Sequence, residues 1–222
     1  MTHIELIDDL IENNVTMVDH GRFHTILRNS ENIQKIKGDV VECGVWRGGM
    51  SIFLSSLFFD KNIWVCDSFE GFQSLDTATY EYHDEPHTPS YSNSIRVRYD
   101  DVVQNFKNYG FDAPDSRINF LEGWVKDTLN PITCKIQSIS LLRIDVDAYS
   151  ATREVLDYLY PKVKKGGYII FDDSCLIQTV DGFCDFFDEK GILFELRHPV
   201  TDEVIENPKQ HDLPCGCYTI KQ

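Results

Sequence analysis

Strands and helices alternate along this chain, which predicts an α/β protein built on a doubly wound, largely parallel sheet with helices on both faces. Two further observations point the same way. The opening strand runs into a glycine-rich turn and then a helix, and acidic residues stand where successive strands end, the edge at which such sheets bind ligands. Seven strands are expected, the last two forming an antiparallel hairpin because no helical period separates them.

The 222 residues fit one domain of ordinary size, large enough to bury a core without staples. A net charge of −15 argues against a nucleic-acid backbone as partner, since that binding rests on clustered Lys and Arg. No early segment joins a basic flank to an apolar run, and apolar stretches such as 168–171 are too short to span a bilayer. A soluble, cytoplasmic protein with neither nucleic-acid nor membrane partners is expected. The seven cysteines, odd in number and without a secretory signal, read as reduced thiols, with Cys215 and Cys217 as strand residues.

Taken in order, Ile4, Ile7, Leu10 and Ile11 recur at helical spacing behind Thr2, a suitable N-cap. A second helical stretch holds Phe23, Ile26, Leu27, Ile33 and Ile36. Residues 1–37 are therefore read as a helical extension or lid, whose linker Thr16-Met17-Val18 serves packing if the helices pack on the sheet and nears the ligand if they lie over its edge, packing being favoured. The main domain then runs from 38 to 222. Its first strand, with Val40, Val41 and Cys43, enters the turn Gly44-Val45-Trp46-Arg47-Gly48-Gly49. A dinucleotide fingerprint needs glycine at position 46 so that the backbone can approach a pyrophosphate. Trp46 opposes that contact, while a nucleoside without phosphates, such as S-adenosylmethionine, still fits across the turn.

The second strand, 62–66, ends in Asp67-Ser68, about twenty residues past the turn. An acidic side chain there can accept hydrogen bonds from both ribose hydroxyls. Residues 73–94 show neither period and read as a variable substrate loop; His83 and His87 within it read as solvated. A helix over 97–109 and a strand over 117–121 lead to Glu122-Gly123-Trp124, where the indole can stack on a purine. Strand four, 139–144, is followed by Asp145-Val146-Asp147 and a helix to about 160. Lys164-Lys165-Gly166-Gly167 turns the chain into strand five, 168–171, which ends in Asp172-Asp173. A helix with Val180, Phe183, Phe186 and Phe187 inward precedes the hairpin strands 192–196 and 217–220.

Asp67, Glu122, Asp145 and Asp172-Asp173 thus gather at one rim. Crowded carboxylates raise one another's pKa values, and a cation relieves the repulsion. Oxygen ligands without Cys or His favour Mg²⁺ over zinc, and Asp145, Asp172 and Asp173 are the expected metal ligands, with Asp147 as a substitute. Arg143, inside strand four, needs a partner. Glu42 supplies one if the strands are neighbours, or instead faces the ligand.

Together these stretches resemble the macrocin O-methyltransferase (TylF-like) family of class I S-adenosylmethionine-dependent enzymes, with a Rossmann-like fold. The matching segments are 38–49, Asp67-Ser68-Phe69-Glu70-Gly71, Asn105-Phe106 with Tyr109-Gly110, 123–129, Leu142-Arg143-Ile144-Asp145-Val146-Asp147-Ala148-Tyr149, and 159–173. One departure is Ser150-Ala151-Thr152, where the family carries Glu-Ser-Thr. The resemblance implies Mg²⁺-dependent methylation of sugar hydroxyls in antibiotics. It implies cofactor contacts from Glu42, Gly44, Trp46, Arg47, Gly48, Gly49, Asp67, Ser68, Glu122, Gly123, Trp124 and Asp145. Asp145, then Asp147, is the expected general base, acting on a small-molecule or glycan acceptor with vicinal hydroxyls. Competing readings are an NAD-dependent oxidoreductase and a non-catalytic nucleoside-binding protein. Apolar faces on the early helices and the hairpin allow a homodimer.

Overall fold

The computed structural model describes every residue except 73–92, 94 and 211. The expected substrate loop, with His83 and His87, therefore lies outside the described residues but for Asn93.

Two helices precede the sheet. In α1 (His3–Glu12) the Thr2 hydroxyl accepts the Glu5 N–H and the Glu5 carboxylate accepts the Thr2 N–H, so two orphan donors are satisfied reciprocally. In α2 (His20–Lys35) Asp19 caps the first turn by accepting the N–H groups of Gly21 and Arg22. Then follow β1 (Asp39–Cys43), α3 (Gly49–Leu57), β2 (Ile63–Asp67), α4 (Tyr99–Asn108), β3 (Ile118–Glu122), the short α5 (Val125–Thr128), β4 (Ile139–Ile144), α6 (Tyr149–Leu159), β5 (Val163–Phe171) and α7 (Ile177–Lys190). The chain closes with β6 (Leu196–Arg197), β7 (Val204–Ile205) and β8 (Cys217–Ile220).

The strands form a single sheet in the order β3-β2-β1-β4-β5-β8-β6-β7. Pairing is parallel from β3 to β5 and antiparallel from β8 onward. The order reverses between β1 and β4, which opens a crevice beyond their carboxyl ends. The expected terminal pairing is present as β6 against β8, and the structure adds the two-residue β7, too short to show a period. β5 begins at Val163, so 164–167 is an irregular part of the strand rather than a turn; a register shift opposite Ile139 and Leu141 absorbs it.

The two-residue period of the strands divides the core. Val40, Ile63, Val65, Leu141 and Ile170 face α1 to α4, while Val41, Trp64, Leu142, Ile144 and Phe171 face α5 to α7. The reading of all cysteines as thiols is corrected. Cys175 and Cys215 form a disulfide that ties the segment after β5 to the segment before β8, which also removes Cys215 from the strand. Sequence spacing gave no sign of it, because 40 residues separate the partners. The other five cysteines are buried thiols. Among the described residues no helix is long and apolar enough to cross a membrane.

Candidate functional site

A cavity of ≈ 290 Å³ opens at the carboxyl ends of the parallel strands, a volume near the lower end of small-molecule sites. Gly44 explains how the ends of β1 and β4 meet there. It has φ 81°, and a Cβ on it would lie 1.6 Å from the Asp145 carbonyl oxygen. No side chain fits, so glycine lets Asp145 sit against the turn. Gly49 serves the extension in the same way: its N–H donates to the Val15 carbonyl at 3.1 Å, and a Cβ would meet that oxygen at 2.6 Å.

One half of the cavity is walled by the ends of β1, β2 and β3. Asp67 accepts the Val45 N–H through Oδ2 at 2.7 Å and the Phe69 N–H through Oδ1 at 2.8 Å. Burial pushes its carboxyl up, against the pull of those amides. Trp46, at φ 47°, lines this half with Asp67, Ser68, Gly123 and Trp124.

The other half is acidic. Single carboxylate oxygens of Asp145, Asp147 and Asp173 lie within 4.8 Å of one another. Asp147 holds φ 55°, an uncommon conformation for a non-glycine residue, and its N–H donates to Asp173 Oδ2 at 3.0 Å. Burial, then the charge of Asp145, pushes Asp147 up to about 6; burial raises Asp145 and Asp173 well above the carboxylate range. The donor set consists of oxygens alone, which fits a hard divalent cation.

Beneath this cluster lies a buried ionic network. Register places Arg143 beside Glu42, and strand period puts both on the face of Leu141 and Val40. Arg143 Nη1 contacts Glu42 Oε1 at 2.5 Å and Asp145 Oδ2 at 2.8 Å, and its Nη2 lies 2.5 Å from Asp172 Oδ1. The Ser51 hydroxyl donates to the other Glu42 oxygen. Burial pushes Glu42 up to about 7 despite Arg143. The open alternative for Glu42 is thereby decided in favour of Arg143, and its side chain, 1% exposed, does not line the cavity.

Asp172 is held from two sides. Arg22 of α2 donates from Nη1 to Asp172 Oδ2 at 2.5 Å, from Nη2 to the Met17 carbonyl at 3.2 Å, and from Nε to Asp19 at 3.1 Å. Asp172 also lines the cavity but is not one of the three clustered oxygens, which Asp145, Asp147 and Asp173 supply. Of the two placements open for the linker, Met17 and Val18 take the ligand-edge one and line the cavity with Arg22, while Val18 also packs in the core.

Gly44, Trp46, Asp67, Ser68, Gly123, Trp124 and Asp145 of the expected cofactor set share the cavity wall. Arg47, Gly48, Gly49 and Glu122 do not. Arg47 donates to the Asn14 carbonyl and lies over the Trp46 ring, Gly48 packs on Val102 and Phe106, Gly49 on Val15, and Glu122 is exposed. Sequence reasoning missed Arg22, Val125, Thr128, Ala151 and Glu154, which also line the cavity. Helical spacing places Ala151 and Glu154 on one face of α6, the only sequence signal they carried.

A family model described as Macrocin-O-methyltransferase (TylF) matches residues 5–202. Mycinamicin III 3''-O-methyltransferase of Micromonospora griseorubida is 31% identical over 204 residues, spanning 88% of this chain and 76% of its own. Demethyldecarbamoylnovobiocin O-methyltransferase of Streptomyces niveus is 36% identical over 197 residues, spanning 86% and 71%. Among solved structures, the O-methyltransferase NovP superposes with a TM-score of 0.77 at 30% identity over 93% of this chain and 81% of its own. The calicheamicin methyltransferase CalS11, at 18% identity and a TM-score of 0.62 over 98% and 89%, shares the fold.

Proposed function

The chain belongs to the macrocin O-methyltransferase family, and from that premise we propose that it transfers the methyl group of S-adenosylmethionine to one hydroxyl of a vicinal diol on a sugar, with Mg²⁺ at the acidic cluster. The observation that carries this reading is the convergence of Asp145, Asp147 and Asp173 at the end of the cavity away from Asp67 and Trp124. Relatives named for methylating glycosylated natural products support a sugar acceptor.

When bound, the cofactor supplies an electrophilic methyl group, and the cation acidifies and orients the acceptor hydroxyls. The chain's own residues do the rest. Asp145 and Asp173 hold the cation, with Asp147 beside them, and Asp67 accepts the ribose hydroxyls while fixing the turn at Val45. Asp147 takes the acceptor's proton. Asp145 is the weaker candidate for that step, because one of its oxygens is committed to Arg143 at 2.8 Å. Met17, Val18 and Trp46 add apolar wall to the cavity.

Calorimetric titration with S-adenosylhomocysteine and with NAD⁺, each with Mg²⁺ and with a chelator, tests the reading. Binding of the homocysteine nucleoside alone, followed by a 14-Da mass gain on a vicinal-diol glycoside only when Mg²⁺ is present, is the expected result. Binding of NAD⁺ alone would replace it with an oxidoreductase.

A further inference from the structure

Sheet order puts the end of β3, with Trp124, on the far side of Asp67 from β4 and β5, and there α5 lies against α6 to form a slot. Trp124, Val125 and Thr128 wall one side, and Ala151 and Glu154 the other. The last two lie three residues apart on one face of α6. Ala151 carries nothing past Cβ, so the slot stays open at its level, and Glu154, one turn further, closes its end.

The Glu154 carboxylate is half-buried, and it makes no hydrogen bond or ion pair with another of the described residues. Lys126 and Asp127 act on it in opposite directions, and burial raises its pKa. A partly desolvated carboxylate without a donor is unfavourable, and the slot it faces is otherwise apolar or aromatic apart from Thr128. Among the described residues this recognition group has no counterpart.

The orientation of a nucleoside in this cavity follows from the other polar groups. With the ribose at Asp67 and the sulfonium end at Asp145, Asp147 and Asp173, the base must extend toward Trp124 and Ala151. Adenine's donor at its substituted edge is the exocyclic amine. We propose that Glu154 accepts a hydrogen bond from that amine, so that the slot selects adenine over bases bearing a carbonyl at the same position. The inference rests on the methyltransferase reading and adds a specificity residue to it. A carbonyl at that position would place an oxygen against the carboxylate, with repulsion in place of a hydrogen bond, while Trp124 stacks on either base.

The test is calorimetry of the full chain with S-adenosylhomocysteine and with S-inosylhomocysteine, in which a carbonyl replaces the amine. Wild-type protein should prefer the adenine compound by ~10- to 100-fold, the range of a hydrogen bond to a charged group. Glu154→Ala should bind both within ~3-fold of each other, chiefly by losing affinity for the adenine compound. Glu154→Gln, which can donate as well as accept, should regain affinity for the inosine compound. Thermal melts of both variants close to wild type would show that the fold is intact. An unchanged preference in both variants overturns the role of Glu154 while leaving the methyltransferase reading standing. Failure of the wild type to bind either compound overturns both.

Discussion

At the ends of β1, β2 and β3 the cavity wall is tied by neutral backbone amides, with Asp67 alone engaging Val45 and Phe69. At the ends of β4 and β5 it is tied by two guanidiniums, Arg22 and Arg143, set among Glu42, Asp145 and Asp172, with Asp147 and Asp173 close by. The amide-tied half needs no counter-charge to hold its shape. The ionic half carries five carboxylates against two guanidiniums, so its geometry depends on charge balance and responds to any cation that enters. Two halves of one cavity are thereby held by different kinds of interaction.

That contrast can be broken most forcefully at Arg143. Arg143→Met would leave Glu42 and Asp172 buried without their shared cation, and stability should fall by about 3–5 kcal/mol in urea unfolding. A variant that unfolds at the wild-type midpoint would show that the ionic half is not held in this way. A change at the cluster itself should be smaller in stability and specific in binding. Asp173→Asn removes one of the three converging carboxylates, and Mg²⁺ affinity should fall ~100-fold or more, beyond the loss usual for an outer-sphere partner. S-adenosylhomocysteine affinity should stay within ~3-fold, and joint loss of both ligands would mean the halves act as one unit. The mildest test is Asp67→Asn, which weakens the hydrogen bonds to Val45 and Phe69. Nucleoside affinity should drop ~10-fold while Mg²⁺ binding to the nucleoside-free protein is unchanged, and equal losses for the two ligands would erase the distinction.

Period and turn chemistry made much of this visible beforehand. The strand ends and their carboxylates were legible because a two-residue alternation, a glycine turn and an acidic residue at each exit are local signals. The partner of Arg143 was legible only as an alternative, since whether β1 lies beside β4 is a property of sheet order. Arg22 was not legible at all. It reaches Asp172 from 150 residues away, by the docking of α2 over the strand ends. Asp172 was expected as a cation ligand from its sequence neighbourhood, which gave no sign of its pairing with both Arg22 and Arg143. Glu154 escaped notice because a glutamate on a helix face is ordinary until α5 supplies the opposite wall of a slot. The two-residue β7 has no periodicity to detect.

The Cys175–Cys215 bridge gives the molecule a property independent of ligands. It closes a ring that contains α7, β6 and β7, and one of its ends stands two residues past Asp173. In the chain-entropy model, closing a ring of this size disfavours the unfolded chain by about 4 kcal/mol. A protease that cuts once between 176 and 214 would leave both fragments covalently joined, and the strand bearing Asp172 and Asp173 would stay attached to its antiparallel neighbour. The acidic arm of the cavity is therefore protected against a single nick on that stretch, whereas the opposite arm has no such bridge among the described residues.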